Sequence, residues 1–154
     1  MAADGISVSP SPPDELLAWI DVVVTGFASP DVQGVPSHEH SPRDTTEAVI
    51  GDMAAVPGLV RYLARRDGIP AGGASLRLAE GVAQLCGAAT LPEHRRRGVQ
   101  TALLAARLEA AGREGGEVAV VTTQPGSKSQ ENAQRHGFEP LYTRAVLVRS
   151  AGAG

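Results

Sequence analysis

The stretch Thr90-Leu91-Pro92-Glu93-His94-Arg95-Arg96-Arg97-Gly98-Val99-Gln100-Thr101 joins two runs of opposite character. Before it, residues 82–91 read as a strand, and Pro92 breaks that strand. After it, Val99, Leu103, Leu104, Leu108 and Ala111 recur at helical spacing, so residues 99–114 are expected to form a helix that Gly115-Gly116 stops. A helix start presents unpaired N–H groups and the positive end of the helix dipole. Gly98 lets a ligand approach the backbone closely. With three arginines around the turn, this is a site suited to a phosphate or pyrophosphate. The same residues also suit a solvated basic turn. The strand that feeds the loop is antiparallel to its neighbour, which does not fit a dinucleotide-binding βαβ unit, and the glycine spacing of a P-loop is missing.

Upstream, three strands at 60–65, 71–78 and 82–91 form an antiparallel meander. Asp67-Gly68 signals the first turn, with Pro70 lengthening the loop, and Glu80-Gly81 signals the second. Nearer the N-terminus, residues 6–9 read as a strand. Ser11 and Asp14 have the spacing of a capping box. Leu16, Leu17, Ile20, Val23, Val24 and Phe27 mark a helix that Gly26 helps to end. Residues 28–42 hold three prolines and a glycine and form a long loop, a kind that often carries function. A second helix covers 44–55, with Val49, Ile50 and Met53 on one face. Downstream, residues 118–122 are almost wholly apolar, as expected of a strand buried on both faces. Residues 127–135 form a short helix ended by Gly137, and 141–148 alternate into a final strand. The order is β-α-α-β-β-β-α-β-α-β: a single domain at 6–149 between loose ends at 1–5 and 150–154.

Composition narrows the function classes. The chain has 154 residues, 42% of them hydrophobic, enough for a core without disulfides or metal. The net charge of −3 disfavours general nucleic-acid binding. Lys128 is the only lysine, and Cys86 the only cysteine. No disulfide can form within one chain, which fits a reducing, cytoplasmic setting. No signal peptide or membrane span is read from the sequence, and no membrane partner is expected.

Arg95-Arg96-Arg97-Gly98-Val99-Gln100 resembles the pattern that opens the helix after the fourth strand in the GNAT superfamily of N-acetyltransferases. That pattern is Arg or Gln, two residues, Gly, one residue, then Gly or Ala, and Gln100 departs from it at the last position. Gly137-Phe138 before the last strand and the order of elements also match. The resemblance implies an α+β, three-layer fold with a mixed, mostly antiparallel sheet, splayed between strands 4 and 5, and helices on both faces. It implies acetyl-CoA as cosubstrate, no metal, an amine acceptor, and transfer by direct attack in a ternary complex. Dimers are common among similar proteins, so a homodimer is possible. Thr90 and Leu91 would bond the pantetheine arm through their backbone. The N–H groups of Arg96, Arg97, Gly98, Val99, Gln100 and Thr101 would hold the pyrophosphate. Arg95, Arg96 and Arg97 side chains could reach the phosphates, with at least one of them expected to be a plain surface charge. Ser129 and Asn132 resemble positions that touch CoA from the short helix; each could equally cap it or bond along its surface.

The catalytic positions depart from the family pattern. Many members carry a Glu base on the fourth strand and a Tyr acid before the Gly-Phe pair; here those positions are Gln84 and Ala133. Glutamine takes no proton at neutral pH. The missing pair also fits an alternative, a non-catalytic acyl-CoA-binding or regulatory domain. His38 and His40, with Glu39 between them, sit in the long loop. They are either solvated loop residues or a base titrating in the useful range. Tyr142 is either a packed strand residue or an acid for the thiolate. Cys86 reads as a small core residue, with an acyl-cysteine route as its alternative.

Overall fold

The protein is described by a computed structural model covering residues 5–29, 41–147, 149, 151 and 152. Five strands form one sheet in sequence order: β1 Ile6–Pro10, β2 Leu59–Arg66, β3 Ile69–Ala79, β4 Val82–Thr90 and β5 Val118–Val121. The first three pairings are antiparallel, and β4–β5 is parallel. The helices are α1 Leu16–Ala28, α2 Arg43–Ala54, α3 Val99–Arg113 and α4 Lys128–Arg135.

The meander is tighter than its prolines suggest. Asp67 (φ 52°) and Gly68 (φ 81°) both lie in the left-handed region, as do Glu80 (φ 51°) and Gly81 (φ 77°). Two consecutive positive φ values give the turn whose twist matches the flanking strands. Pro70 therefore does not lengthen the loop. It sits inside β3, opposite Arg65, where the register shifts between Ala64 and Arg65, the kind of irregular position a proline tolerates.

The sheet carries a hydrophobic layer on each face. On one face α1 and α2 pack Trp19, Val22, Val23, Val24 and Ile50 against Leu63 and Ala89. Trp19 is fully buried, and its Nε1–H donates to Tyr62 O at 3.1 Å and Ala74 O at 3.3 Å. On the other face α3 sets Val99, Leu103, Leu104, Ala110 and Ala111 against Tyr62, Ala64, Ala74, Leu76 and Leu85. Gly72 and Gly73 of β3 permit this double approach. A Cβ on Gly72 would lie 2.7 Å from Val99 Cγ1, and one on Gly73 would lie 2.8 Å from Val23 Cγ2.

Several local expectations give way to tertiary packing. The Ser11–Asp14 capping box does not form: a 3-10 turn over Pro13–Glu15 has no side-chain cap, and Ser11 Oγ is buried without a partner. Leu17 and Phe27 are exposed, so the buried stripe of α1 follows Trp19 and Val22–Val24 instead. Gly26 lies within α1 rather than ending it. A Cβ there would stand 2.7 Å from Ala89 Cβ and 3.2 Å from Thr90 O, so the missing side chain lets the helix rest on the end of β4. Val49 is exposed on α2, leaving Ile50 and Met53 to face inward.

Two corrections concern the sheet's far end. β5 is not buried on both faces: Val118 and Val120 are exposed, while Ala119 and Val121 pack on the core. Among the described residues β5 is the last strand of the sheet and is covered on one face only. Residues 141–147 form no strand. Their alternation sets which side chains would share a face, but a strand needs a neighbour's hydrogen bonds, and β5 pairs only with β4 among the described residues.

Candidate functional site

The site begins where β4 and β5 part. Their parallel pairing runs from Val82↔Val118 to Leu85↔Val121 and stops, while β4 continues to Thr90 beside β3. The cause lies in β4 itself. Ser75 pairs with Cys86 and Gly73 with Ala89, so β4 spends one residue more than β3 over this span. Such a bulge bends the strand and raises its twist. Gly87 supplies the required positive φ of 60°. Ser75, fully buried, donates its hydroxyl to Cys86 O at 2.9 Å and lies 3.3 Å from Cys86 Sγ. The result is a cleft of ≈ 230 Å³ lined by Gln84, Leu85, Cys86, Gly87, Val120, Val121 and Thr122.

Behind the cleft lies Arg107 of α3, 4% exposed. Its Nε donates to Leu103 O and its Nη1 to Ser75 O, each at 3.1 Å. Burial pulls its pKa down to about 10, against the opposing pull of Cys86. The guanidinium fixes the segment of β3 that in turn holds the bulge.

The other end of β4 leads straight to the basic loop. A 3-10 turn spans Pro92–His94. Arg96 (φ 58°) and Gly98 (φ 86°) are both left-handed, and Gly98 is the N-cap of α3. No side chain caps this helix, whose first internal hydrogen bond is Ala102 N–H to Gly98 O at 2.9 Å. The N–H groups of Val99, Gln100 and Thr101 therefore have no partner inside the helix. Gln100 does not crowd this end: its Nε2 donates to Thr90 Oγ1 at 3.0 Å, drawing the first turn of α3 against the end of β4.

Each expected site residue can now be placed. Arg96 and Arg97 are exposed at the loop. Arg95 points the other way, its Nη2 donating to Gly26 O in the last turn of α1 at 3.1 Å and to the O of Ser29, the C-cap of that helix. Thr90 is buried, and both main-chain groups of Leu91 are engaged: its N–H donates to Ala71 O and its carbonyl accepts from His94 N–H, each at 2.9 Å. Gln84 lines the cleft, and Ala133 is buried on α4. On α4, Ser127 rather than Ser129 makes the cap, accepting from Gln130 N–H at 3.2 Å. Ser129 is exposed and Asn132 partly so. Tyr142 is 76% exposed, not packed. His38 and His40 lie outside the described residues. No group of metal-binding side chains occurs among the described residues.

Sequence reasoning missed Ser75, Gly87, Arg107 and the β5 wall of the cleft. Gly87 was the available signal, since a lone glycine inside a strand pattern marks a bulge. Nothing local marks Ser75 or Arg107, which matter through contacts made across the sheet.

The chain matches the acetyltransferase (GNAT) family over residues 18–138. Among solved structures it is similar to the aminoglycoside N-acetyltransferase AAC(6')-Iy in complex with CoA, at 24% identity and TM-score 0.66, over 95% of each chain. A GCN5-related N-acetyltransferase from Ralstonia eutropha is 17% identical with TM-score 0.71, over 94% of this chain and 99% of that one. An aminoglycoside acetyltransferase from an uncultured soil metagenomic sample, in complex with sisomicin, is 12% identical with TM-score 0.64, over 96% of this chain and 95% of that one. No curated protein sequence matches. The splayed β4–β5 pair, the basic left-handed loop before α3 and the family match over most of the chain agree: the protein belongs to the GNAT family of acetyltransferases, a class of transferase enzymes.

Proposed function

We propose that this protein transfers an acetyl group from acetyl-CoA to an amine by direct attack in a ternary complex. The observation that carries the reading is the continuity of the β4–β5 cleft, β4 and the uncapped start of α3. On this reading the pyrophosphate lies on the N–H groups at 96–101, with Arg96 and Arg97 neutralising charge. The pantetheine arm follows β4 past Leu91 and Thr90 into the cleft, and Ser129 and Asn132 flank it from α4. The thioester then meets the bulge at Cys86 and Gly87, where a strand N–H can stabilise the oxyanion.

The amine attacks the thioester carbonyl, a tetrahedral oxyanion forms, and the CoA thiolate leaves. Gln84 can orient the amine but cannot accept its proton. The amine therefore arrives neutral and gives up one proton to solvent once the N–C bond has formed, or His38 or His40 takes that proton. Tyr142 is our candidate to protonate the thiolate. Positioning supplies much of the rate in such a reaction. We place the protein in the cytoplasm as a homodimer, on the single reduced cysteine and the habit of similar proteins. The aminoglycosides named with two similar structures make a first acceptor panel.

The test is free-thiol release from acetyl-CoA with a panel of amines that includes sisomicin. Acceptor-dependent thiol release is expected. CoA binding with no release on any amine would instead favour the binding or regulatory domain, a reading that the Gln84 and Ala133 positions support. No CoA binding would overturn both.

A further inference from the structure

Between the bulge and the Glu80-Gly81 turn, alternate residues of β3 and β4, and of β5 beside them, meet different fates. Leu76, Leu78, Ala83, Leu85, Ala119 and Val121 pack in the layer under α3. The residues between them face the α1–α2 side, the side on which a Gly73 Cβ would meet Val23 and Trp19. Two register rows cross the sheet there, Leu59–Arg77–Gln84–Val120 and Ala79–Val82–Val118. Met53, in the last turn of α2, reaches as far as Gly87, where an added Cβ would stand 2.9 Å from its Cε. Beyond it Arg77, Gln84, Val82, Val118 and Val120 are all exposed. Gln84 and Val120 also line the cleft, so the open face and the cleft are continuous. Arg77 is the one charged side chain in the two rows, and it has no hydrogen-bond or ion-pair partner among the described residues.

We propose that this open face seats the acceptor and selects an amino acid, with its amine at the cleft, its carboxylate on Arg77 and an apolar side chain on Val120. The proposal rests on the acyl-transfer reading and names its substrate class. Arg77 lies two residues along β3 from Ser75, the partner of Cys86 at the bulge, a step of about 7 Å at the rise of a strand. An extended arginine side chain covers that step. An amine attacking at the bulge can therefore carry a carboxylate, a few bonds away in the same small molecule, within reach of the guanidinium. The planar fork of the guanidinium matches the two carboxylate oxygens. Val120 lies across from Gln84, with Val82 and Val118 beyond it, an apolar floor that favours an apolar side chain over a charged one. A polycationic acceptor would instead bring like charge to Arg77.

The test measures thiol release from acetyl-CoA with leucine, leucinamide and sisomicin, on the unaltered chain and on Arg77→Ala and Arg77→Glu. Leucine should exceed sisomicin in kcat/KM. Leucine and leucinamide differ in amine pKa, so the readout is the ratio of their kcat/KM values, in which that difference cancels between variants. Arg77→Ala should lower the ratio by about tenfold or more, through the KM of leucine, and Arg77→Glu should lower it further. Both variants should keep the melting temperature, because Arg77 is exposed and unpaired among the described residues. A ratio that neither substitution moves in the folded protein overturns the proposal. So does a kcat/KM for sisomicin above that for leucine. Either result leaves acyl transfer itself standing. Thiol release on no amine at all removes the acyl-transfer reading, and the acceptor class falls with it.

Discussion

Replacing Arg95 by alanine separates two roles that one residue cannot fill at once. In the family pattern this arginine opens the phosphate loop, yet here its guanidinium is spent on Gly26 O and Ser29 O. Hydrogen bonds from a charged group to a partly buried acceptor each contribute about 1.5–3 kcal/mol before solvent is counted. A cation at a helix C-terminus adds about 0.3–1 kcal/mol. Arg95 is half-buried, and water can reach the freed carbonyls, so we expect a net loss of about 2 kcal/mol. At roughly 2–4 °C per kcal/mol for a chain of this size, the melting temperature should fall by about 4–8 °C. CoA affinity should fall by less than about tenfold, because the loop N–H groups remain. Urea unfolding and isothermal titration with CoA measure the two effects in the same preparation. Arg95→Lys should recover less than half of the stability, since an ammonium lacks the planar fork that reaches two carbonyls. Unchanged stability with a CoA affinity reduced by more than about tenfold would falsify the strut and return Arg95 to the phosphates.

Further outcomes follow from the same geometry. CoA at about one hundred times its dissociation constant should stabilise the fold by roughly 2.7 kcal/mol, and a melting curve that saturating CoA does not move removes the site. Gly98→Asp should abolish CoA binding in a folded protein, because a carboxylate would meet the pyrophosphate and aspartate tolerates the left-handed backbone; circular dichroism checks folding and titration checks binding. If the amine supplies its own proton loss, kcat/KM should climb with pH following the substrate pKa, whereas a histidine base gives an enzyme inflection near about 6.5 that His38→Ala or His40→Ala erases. Glu131 is held below its ordinary pKa chiefly by the hydrogen bond from Lys128. Its folded pKa being the lower, the stability it adds is present above the unfolded value and fades as pH falls through the folded one. Glu131→Gln should therefore flatten part of the acid arm of a urea-midpoint against pH plot.

How far the sequence carried the fold depends on the range of the forces involved. The meander, α3 and the loop between them were legible because each is set by neighbours in the chain: Asp67-Gly68 and Glu80-Gly81 make their own turns, and Pro92 ends its own strand. The phase of α1 was not, because Leu17 has the spacing of a core residue and only the position of the sheet decides that Trp19 and Val22 turn inward instead. Gly26 reads locally as a helix stop and acts as a point of contact with Ala89 and Thr90. At the site, the unpaired helix start was visible in Gly98 and its arginines, but the direction of Arg95 depends on where α1 ends. The bulge that opens the cleft had one local sign, Gly87; the hydroxyl and guanidinium that hold it, Ser75 and Arg107, are known only once β3, β4 and α3 are stacked.

The bare backbone at Gly72-Gly73 has a consequence for how this protein can vary. With no side chains between them, α1 and α3 are separated at this point by one thickness of main chain, Val23 touching from one side and Val99 from the other. A shift of either helix is passed to the other as through a membrane of fixed thickness, without a compressible side chain to absorb it. Substitutions at Val23 and Val99 should accordingly be non-additive although the two residues lie on opposite layers. An enlargement at Val23 on α1 would be felt at α3, the helix that begins at the basic loop, so a change in one layer is expected to need a matching change in the other.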